Sequence, residues 1–219
     1  MEEIMLRILL ADDHDVVRRG LREQLASHEG WEVCGEAKNG REAVKLALEL
    51  KPDVVVLDLS MPELNGLEAT RQIRKDLPRT EVLIFTMHET EQLIREVLAA
   101  GARGYVLKSD AGQHLNQAVE ALSHHKPFFT AKVSQALLDA FLKSDAKPDE
   151  VSVFRTLTSR EREIVQMLAE GKSNKEIANK LSISVKTVET HRATVMRKLE
   201  INSIVELVHY AIRNQLVEA

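Results

Sequence analysis

ILLADD, residues 8–13, decides how this chain is read. A short run of Ile and Leu closes on two adjacent carboxylates, Asp12 and Asp13. Three more runs end the same way. VVVLD (54–58) closes on Asp58, VLIFT (82–86) on Thr86 and GYVLK (104–108) on Lys108. Near-continuous apolar runs of this length suit strands covered on both faces, as in a parallel sheet. If the four runs are parallel strands of one sheet, these side chains all meet at its carboxyl edge. Open α/β sheets bind ligands and do chemistry in the crevice there.

Outward from these runs, residues 5–123 alternate between strand and helix patterns. The spacing predicts strands at 6–11, 31–37, 54–58, 81–85 and 104–107. Amphipathic stretches fall between and after them, at 14–28, 40–50, 66–76, 90–100 and 111–123. Strand alternating with helix predicts βαβ units on a parallel sheet. The expected fold is α/β: a (βα)5 flavodoxin-like domain over residues 5–125.

Carboxylates, a hydroxyl and an ammonium in one crevice describe a hard-cation site that can also hold a phosphoryl group. Mg²⁺ prefers oxygen ligands, keeps several waters and usually takes one or two carboxylates plus phosphate. Asp13 and Asp58 can supply the carboxylates, Asp12 can act through water, and the backbone carbonyl of Ser60 is well placed beside them. A carboxylate can also be the nucleophile that accepts a phosphoryl group. Its difficulty is that an anion attacks an anion. The metal and Lys108 offset that repulsion, and Thr86 adds a hydrogen bond to the transferring oxygens.

Residues 126–152 read as a linker with one helix near 130–143, where Val133, Leu137, Leu138, Phe141 and Leu142 keep a helical period. The polar, acidic, proline-containing SDAKPDE (144–150) reads as its flexible part. Residues 153–219 read as all-helical, with four helices at 158–170, 173–181, 184–199 and 203–215. Thr158…Glu161, Ser173…Glu176 and Ser203…Glu206 have the S/T-x-x-E spacing of a capping box. The turn Ser182-Ile183-Ser184 between a short and a long helix fits a DNA-reading helix-turn-helix.

Charge divides at the same place. The net charge is −4, yet residues 155–219 hold 11 Lys+Arg against 8 Asp+Glu and are net positive. The basic part is the candidate for double-stranded DNA. Ile177, Leu181, Ile183, Val188, Val195 and Leu199 form the apolar side that packs the helices. Lys186, Glu189, Thr190 and Ala193 lie off that side and can face a major groove. Lys172, Lys175, Arg192, Arg197 and Lys198 flank them and suit phosphates, as does Lys186. The helix N-termini at Ser173 and Ser184 can also donate to phosphate, and Asn174 and Thr187 beside them are candidate DNA contacts. His191 is split evenly between a backbone contact and a packed polar residue. Glu189 can accept from cytosine N4.

The bulk composition, 44% hydrophobic and 29% charged, is that of a globular chain. No apolar run approaches the ~20 residues of a membrane span, so no membrane partner is expected. The start MEEIMLRILLADD lacks a signal-peptide pattern. The single cysteine, Cys34, excludes an internal disulfide and is expected to be a buried core thiol. These features predict a cytoplasmic protein.

The first half resembles the receiver domain of two-component response regulators. The resemblance rests on Asp12-Asp13, on Asp58 with Met61-Pro62 and Asn65-Gly66, on Thr86 and on Lys108. It implies that Asp58 accepts the phosphoryl group from a histidine kinase, that Asp12, Asp13 and Asp58 organise Mg²⁺, and that Thr86 and Lys108 sense the phosphate. Tyr105 matches the aromatic whose rotation accompanies movement of that Thr. Ser109 stands where many receivers have a proline. LTSREREIVQMLAEGKSNKEIANKLSISVKTVETHRATVMRKL resembles the LuxR-type helix-turn-helix, and the whole chain is similar to NarL/FixJ-type response regulators. That implies a transcription regulator rather than an enzyme, whose unphosphorylated receiver often covers the recognition helix. It also implies dimers on DNA, with Ile204, Leu207, Val208 and Ala211 of the last helix as the expected contact; some of that helix must pack inward. Ser60 and His88, each two residues beyond a pocket group, are expected to tune phosphate loss.

Two other readings are open. One is a metal-dependent phosphatase with Asp58 as nucleophile. Enzymes resembling the haloacid dehalogenase group place a second acid two residues on, where this chain has Ser60. The other is a regulator that binds DNA whatever its phosphorylation state; the complete pocket argues against it.

Overall fold

The computed structural model describes residues 5–135, 138, 157–214 and 216–217. They form two compact units, one built on the sheet and one from the C-terminal helices. In the first unit, β1 (Leu6–Ala11), α1 (Asp15–Ala26), β2 (Trp31–Ala37), α2 (Gly40–Leu50), β3 (Val54–Leu57), α3 (Gly66–Asp76), β4 (Glu81–Thr86), α4 (Glu91–Ala99), β5 (Gly104–Leu107) and α5 (Ala111–Ser123) follow one another as the patterning predicts. With a short β6 (Phe128–Phe129) at the edge, the strands run in the order β2-β1-β3-β4-β5-β6, every pair parallel.

The alternation along each strand explains the unbroken apolar runs. Ile8, Leu10, Val54, Val56, Leu83, Phe85 and Val106 join Leu21, Leu25, Leu115, Val119 and Leu122 in one core on the α1–α5 side. The intervening Leu9, Val55, Leu57 and Ile84 are just as buried, on the face that α2 and α3 cover. Two-sided burial removes the polar positions a half-exposed strand would show.

The sheet has one strand more than expected. Phe128–Phe129 forms β6 and pairs with Gly104 and Tyr105 of β5. Its two residues are too few to show a period, so the sequence assigns them to the linker. Of the expected helix near 130–143, residues 131–135 and 138 are helical; its remainder and the SDAKPDE segment lie outside the described residues. Cys34 is half-buried rather than fully buried, and burial pushes its thiol pKa up.

The second unit holds α6 (Ser159–Ala169), α7 (Asn174–Leu181), α8 (Val185–Lys198) and α9 (Ile204–Arg213). The start signals work as read. Thr158 and Ser173 each form a complete reciprocal capping box, with Glu161 and Glu176. Ser203 forms half of one: it accepts from Glu206 N–H, while the Glu206 carboxylate accepts from Asn202 N–H. Gly171 (φ 78°) follows α6 in the left-handed region, where glycine is unstrained. Ile177, Leu181, Val188, Val195, Leu207 and Ala211 are buried in this unit.

Candidate functional site

The chain reverses its direction along the sheet at β1, which lies between β2 and β3. Such a switch point opens a crevice at the carboxyl ends of the strands, because successive connections leave on opposite faces. Asp12 and Asp13 follow β1 and Asp58 follows β3, on either side of that crevice. The Asp58 N–H donates to the Ala11 carbonyl (2.8 Å), continuing the β1–β3 ladder into the site.

Lys108 reaches across from the end of β5. Its Nζ is 2.8 Å from Asp58 Oδ2 and 2.8 Å from Asp12 Oδ2. Asp12 and Asp58 are 1% and 3% exposed, so this is a nearly dry cluster of two carboxylates on one ammonium. Burial raises the Asp58 pKa above the ordinary carboxylate value, and Lys108 opposes that. Burial also acts to lower the Lys108 pKa, but Asp58 and Asp12 outweigh it and hold the ammonium above its usual value. The trio keeps one net negative charge, which a divalent cation would neutralise. Asp13 is partly exposed beside them. The ligand atoms of Asp12, Asp13, Asp58 and His14 all lie within 4.8 Å of one another. Oxygen donors at this density fit Mg²⁺.

Gly66 shapes the loop after Asp58. A Cβ there would lie 2.0 Å from the Asp58 carbonyl oxygen. The missing side chain lets the first turn of α3 sit on the Asp58–Leu59 backbone, where Gly66 N–H donates to the Leu59 carbonyl (2.9 Å). The glycine at 66 is thus a packing requirement of the pocket.

Thr86, at the end of β4, is fully buried. The backbone N–H of His88 donates to Thr86 Oγ (3.3 Å). Tyr105 also points inward and donates its hydroxyl to the His88 carbonyl (2.6 Å). Burial, then Glu89 and Asp58, raise the Tyr105 pKa, so the phenol stays protonated and a donor. Ser60 Oγ and His88 Nε2 share a hydrogen bond of 2.9 Å. Ser60, Thr86 and Tyr105 therefore meet around His88, while Lys108 stands with Asp12 and Asp58. His14, close beside the aspartates, is a neighbour that reading missed.

In the helical unit, α8 turns an exposed face outward. Lys186, Glu189, Thr190, Ala193, Thr194 and Arg197 line one shallow groove along it. Thr194 was not among the expected residues; it falls one turn beyond Thr190 on the same stripe. Both threonine hydroxyls bond back to the helix, Thr190 to the Lys186 carbonyl (2.9 Å) and Thr194 to the Thr190 carbonyl (3.0 Å). Their methyl groups and lone pairs remain for a ligand. Lys186 and Glu189 approach to 3.6 Å. Lys175 is exposed, while Lys172, Asn174, Thr187, His191 and Arg192 are half-buried. Ser173 caps α7. Lys198 is differently engaged from what its charge suggests: its Nζ pairs with Glu161 at 2.7 Å and tethers the end of α8 to the start of α6.

The last helix corrects one expectation. Leu207 and Ala211 are fully buried in the unit and cannot meet a partner. Ile204 and Val205 are exposed at 40% and 59%, and Val208 is half-buried. An apolar period locates a stripe but does not say which edge of it points outward.

Comparison with known proteins agrees with this geometry. The family model for the response regulator receiver domain matches residues 8–120, and that for bacterial regulatory proteins of the luxR family matches 155–211. This chain belongs to the LuxR-type two-component response regulators. It is 41% identical to the oxygen regulatory protein NreC of Staphylococcus epidermidis, over 97% of this chain and all of that one. It is 40% identical to the transcriptional regulatory protein LiaR of Bacillus subtilis, with the same coverage. Among solved structures, RcsB of Salmonella enterica serovar Typhimurium, bound to a promoter in the presence of the phosphomimetic BeF3−, aligns with TM-score 0.60 and 28% identity. That alignment covers 94% of this chain and 98% of RcsB. Another structure contains two RcsB dimers on parallel DNAs, at TM-score 0.58 and 29% identity, covering 94% of this chain and 97% of that one. Among the described residues, no helix is long and apolar enough to cross a membrane.

Proposed function

We propose that this regulator is switched by phosphorylation of Asp58 by a histidine kinase and then controls transcription as a DNA-bound dimer in the cytoplasm. The observation that carries this is the shared ammonium: Lys108 within 2.8 Å of both Asp58 and Asp12 at the sheet's switch point. An Asp58 oxygen attacks phosphorus, an O–P bond forms, and the N–P bond of the donor phosphohistidine breaks. The imidazole of the donor leaves with the electron pair. Asp12, Asp13, Asp58 and the Ser60 carbonyl would hold Mg²⁺, whose chemistry is to neutralise charge on the transferring oxygens. Lys108 supplies one of the positive charges that let one anion approach another. Afterwards Thr86 can donate to a phosphoryl oxygen. Its hydroxyl and Tyr105 both bond to His88, so such a movement redistributes the β4–α4 loop and biases an existing equilibrium.

In the helical unit, α8 would enter a major groove. Lys186, Arg192 and Arg197, with Lys172, Ser173, Asn174 and Lys175 of the preceding turn and helix, serve phosphates. Glu189 and Thr190 read bases, with Thr187 and His191 at the groove edge. The DNA-bound RcsB structures support this reading. Exposed Ile204 and Val205, with half-buried Val208, offer the dimer contact.

The test joins the two units. Acetyl phosphate and Mg²⁺ should add one base-labile phosphoryl group and raise retention of genomic DNA fragments by the full chain. Asp58→Asn should abolish both effects. An Asn variant phosphorylated to the wild-type extent sinks the assignment. Steady turnover of a generic phosphoester would favour the phosphatase instead.

A further inference from the structure

We propose that His14 is a fourth side-chain ligand of the acidic pocket, beside the three aspartates, and that it makes the pocket prefer a divalent cation that accepts imidazole, such as Co²⁺, over Mg²⁺. This rests on the reading that the pocket holds a divalent cation at all.

Two observations point to His14. The first is distance. Its Nδ1 lies 2.8 Å from Asp13 Oδ1 and 3.3 Å from Asp12 Oδ1. Donors bound side by side at about 2.1 Å from one cation sit roughly 3.0–3.4 Å apart, for octahedral and tetrahedral geometry respectively. The nitrogen and the oxygens already stand at near that spacing, with Asp58 in the same group. The second is position. His14 is the N-cap residue of α1, with extended backbone, yet its side chain makes no capping hydrogen bond. Ser, Thr, Asp or Asn there would stabilise the helix by about 1 kcal/mol. The ring is instead turned to the aspartates, and its backbone N–H donates to Asp12 Oδ1 (2.9 Å).

The chemistry follows from the donor set. Mg²⁺ favours oxygen and gains little from an imidazole. Imidazole suits later first-row cations, for which affinity rises from Mn²⁺ through Co²⁺ to Cu²⁺. One nitrogen among oxygens therefore shifts selectivity without disturbing Asp58 or Lys108. Because the His14 ring is largely exposed and makes no cap bond, replacing it should leave the fold intact.

The full chain is titrated with Co²⁺ and, separately, with Mg²⁺ by calorimetry, and the Co²⁺ complex is read by the far-shifted imidazole protons in paramagnetic NMR. Wild type should prefer Co²⁺. His14→Ala should weaken Co²⁺ at least about tenfold, a scale on which even groups that merely support a ligand act, and leave Mg²⁺ within roughly twofold. The shifted imidazole signals should vanish in both His14→Ala and His14→Gln. Asp13→Asn should weaken both metals. An unchanged Co²⁺:Mg²⁺ ratio or surviving imidazole signals in the His14 variants overturn the ligand assignment, while the cation pocket stands. Failure of wild type to bind either metal, or indifference to Asp13→Asn, overturns the pocket reading as well.

Discussion

The sheet unit and the helical unit solve opposite electrostatic problems. The sheet unit gathers its charges from the ends of β1, β3 and β5 and dries them, so Asp58 and Lys108 both leave their ordinary pKa values. The helical unit lays its groups along one helix and keeps them wet; among the residues lining the α8 groove, none is buried. A dry cluster acts strongly on one bound group and tolerates little displacement, because low dielectric magnifies each charge. A wet stripe acts weakly per residue and gains by summing contacts. Perturbation should therefore be severe and local in the first unit, graded and additive in the second.

The largest expected effect is Gly66→Ala. Alanine gains helix propensity of about 1 kcal/mol over glycine. Its Cβ would nevertheless meet the Asp58 carbonyl at 2.0 Å, so the backbone must move. Net destabilisation of roughly 2 to 3 kcal/mol in urea unfolding, with slower phosphorylation, is expected. A stabilised variant with normal phosphorylation would break the contrast at once.

Next, Glu189→Ala and Thr190→Ala should each cost about 2 kcal/mol on the best site and relax preference at one or two base pairs. Lys186→Ala should weaken all sequences alike and lower the salt slope by about one unit. Selection from a random oligonucleotide pool separates the two behaviours. Identical consensus and information content for wild type and the Glu189 and Thr190 variants would put base reading elsewhere on α8.

Thr86→Ala should leave phosphorylation intact but reduce the phosphorylation-dependent gain in DNA binding by about tenfold, near 1.4 kcal/mol. Its hydroxyl is tied to His88, not to Asp58, in this structure. Anisotropy with and without acetyl phosphate measures the gain. A full response in the variant removes Thr86 from the switch.

The smallest effect belongs to a helix cap. Thr158→Ala should cost about 1 kcal/mol at neutral pH. Burial acts to raise the Glu161 pKa, but its bonds to Lys198 and to Thr158 outweigh that and hold it below the usual carboxylate value. A lowered folded pKa means stabilisation that is present above the unfolded value and lost as pH falls through the folded one. Thermal melts should thus show the cost of Thr158→Ala shrinking in acid. A cost that stayed constant as the pH fell would mean the Glu161 half of the box contributes nothing.

Sequence alone determined the order of strands and helices, the capping residues and the list of groups at the strand ends. Apolar period and cap spacing are local, and local signals survive in one dimension. The sequence also carried Asp58 and Lys108 as pocket members, because each closes an apolar run. Tertiary structure decided the rest. Only it shows that Lys108 serves Asp12 as well as Asp58, since residues 108, 58 and 12 meet through the sheet order and not through spacing. Only it engages Lys198 with Glu161 and turns Leu207 and Ala211 inward while leaving Val205 outside. The two-residue β6 became a strand because Gly104 and Tyr105 offered it an edge. His14 gave no periodic signal, and its ring reached the aspartates because β1 ends there and α1 begins without a side-chain cap. A side chain's neighbours across the fold depend on which elements pack together, and no period within one element encodes that.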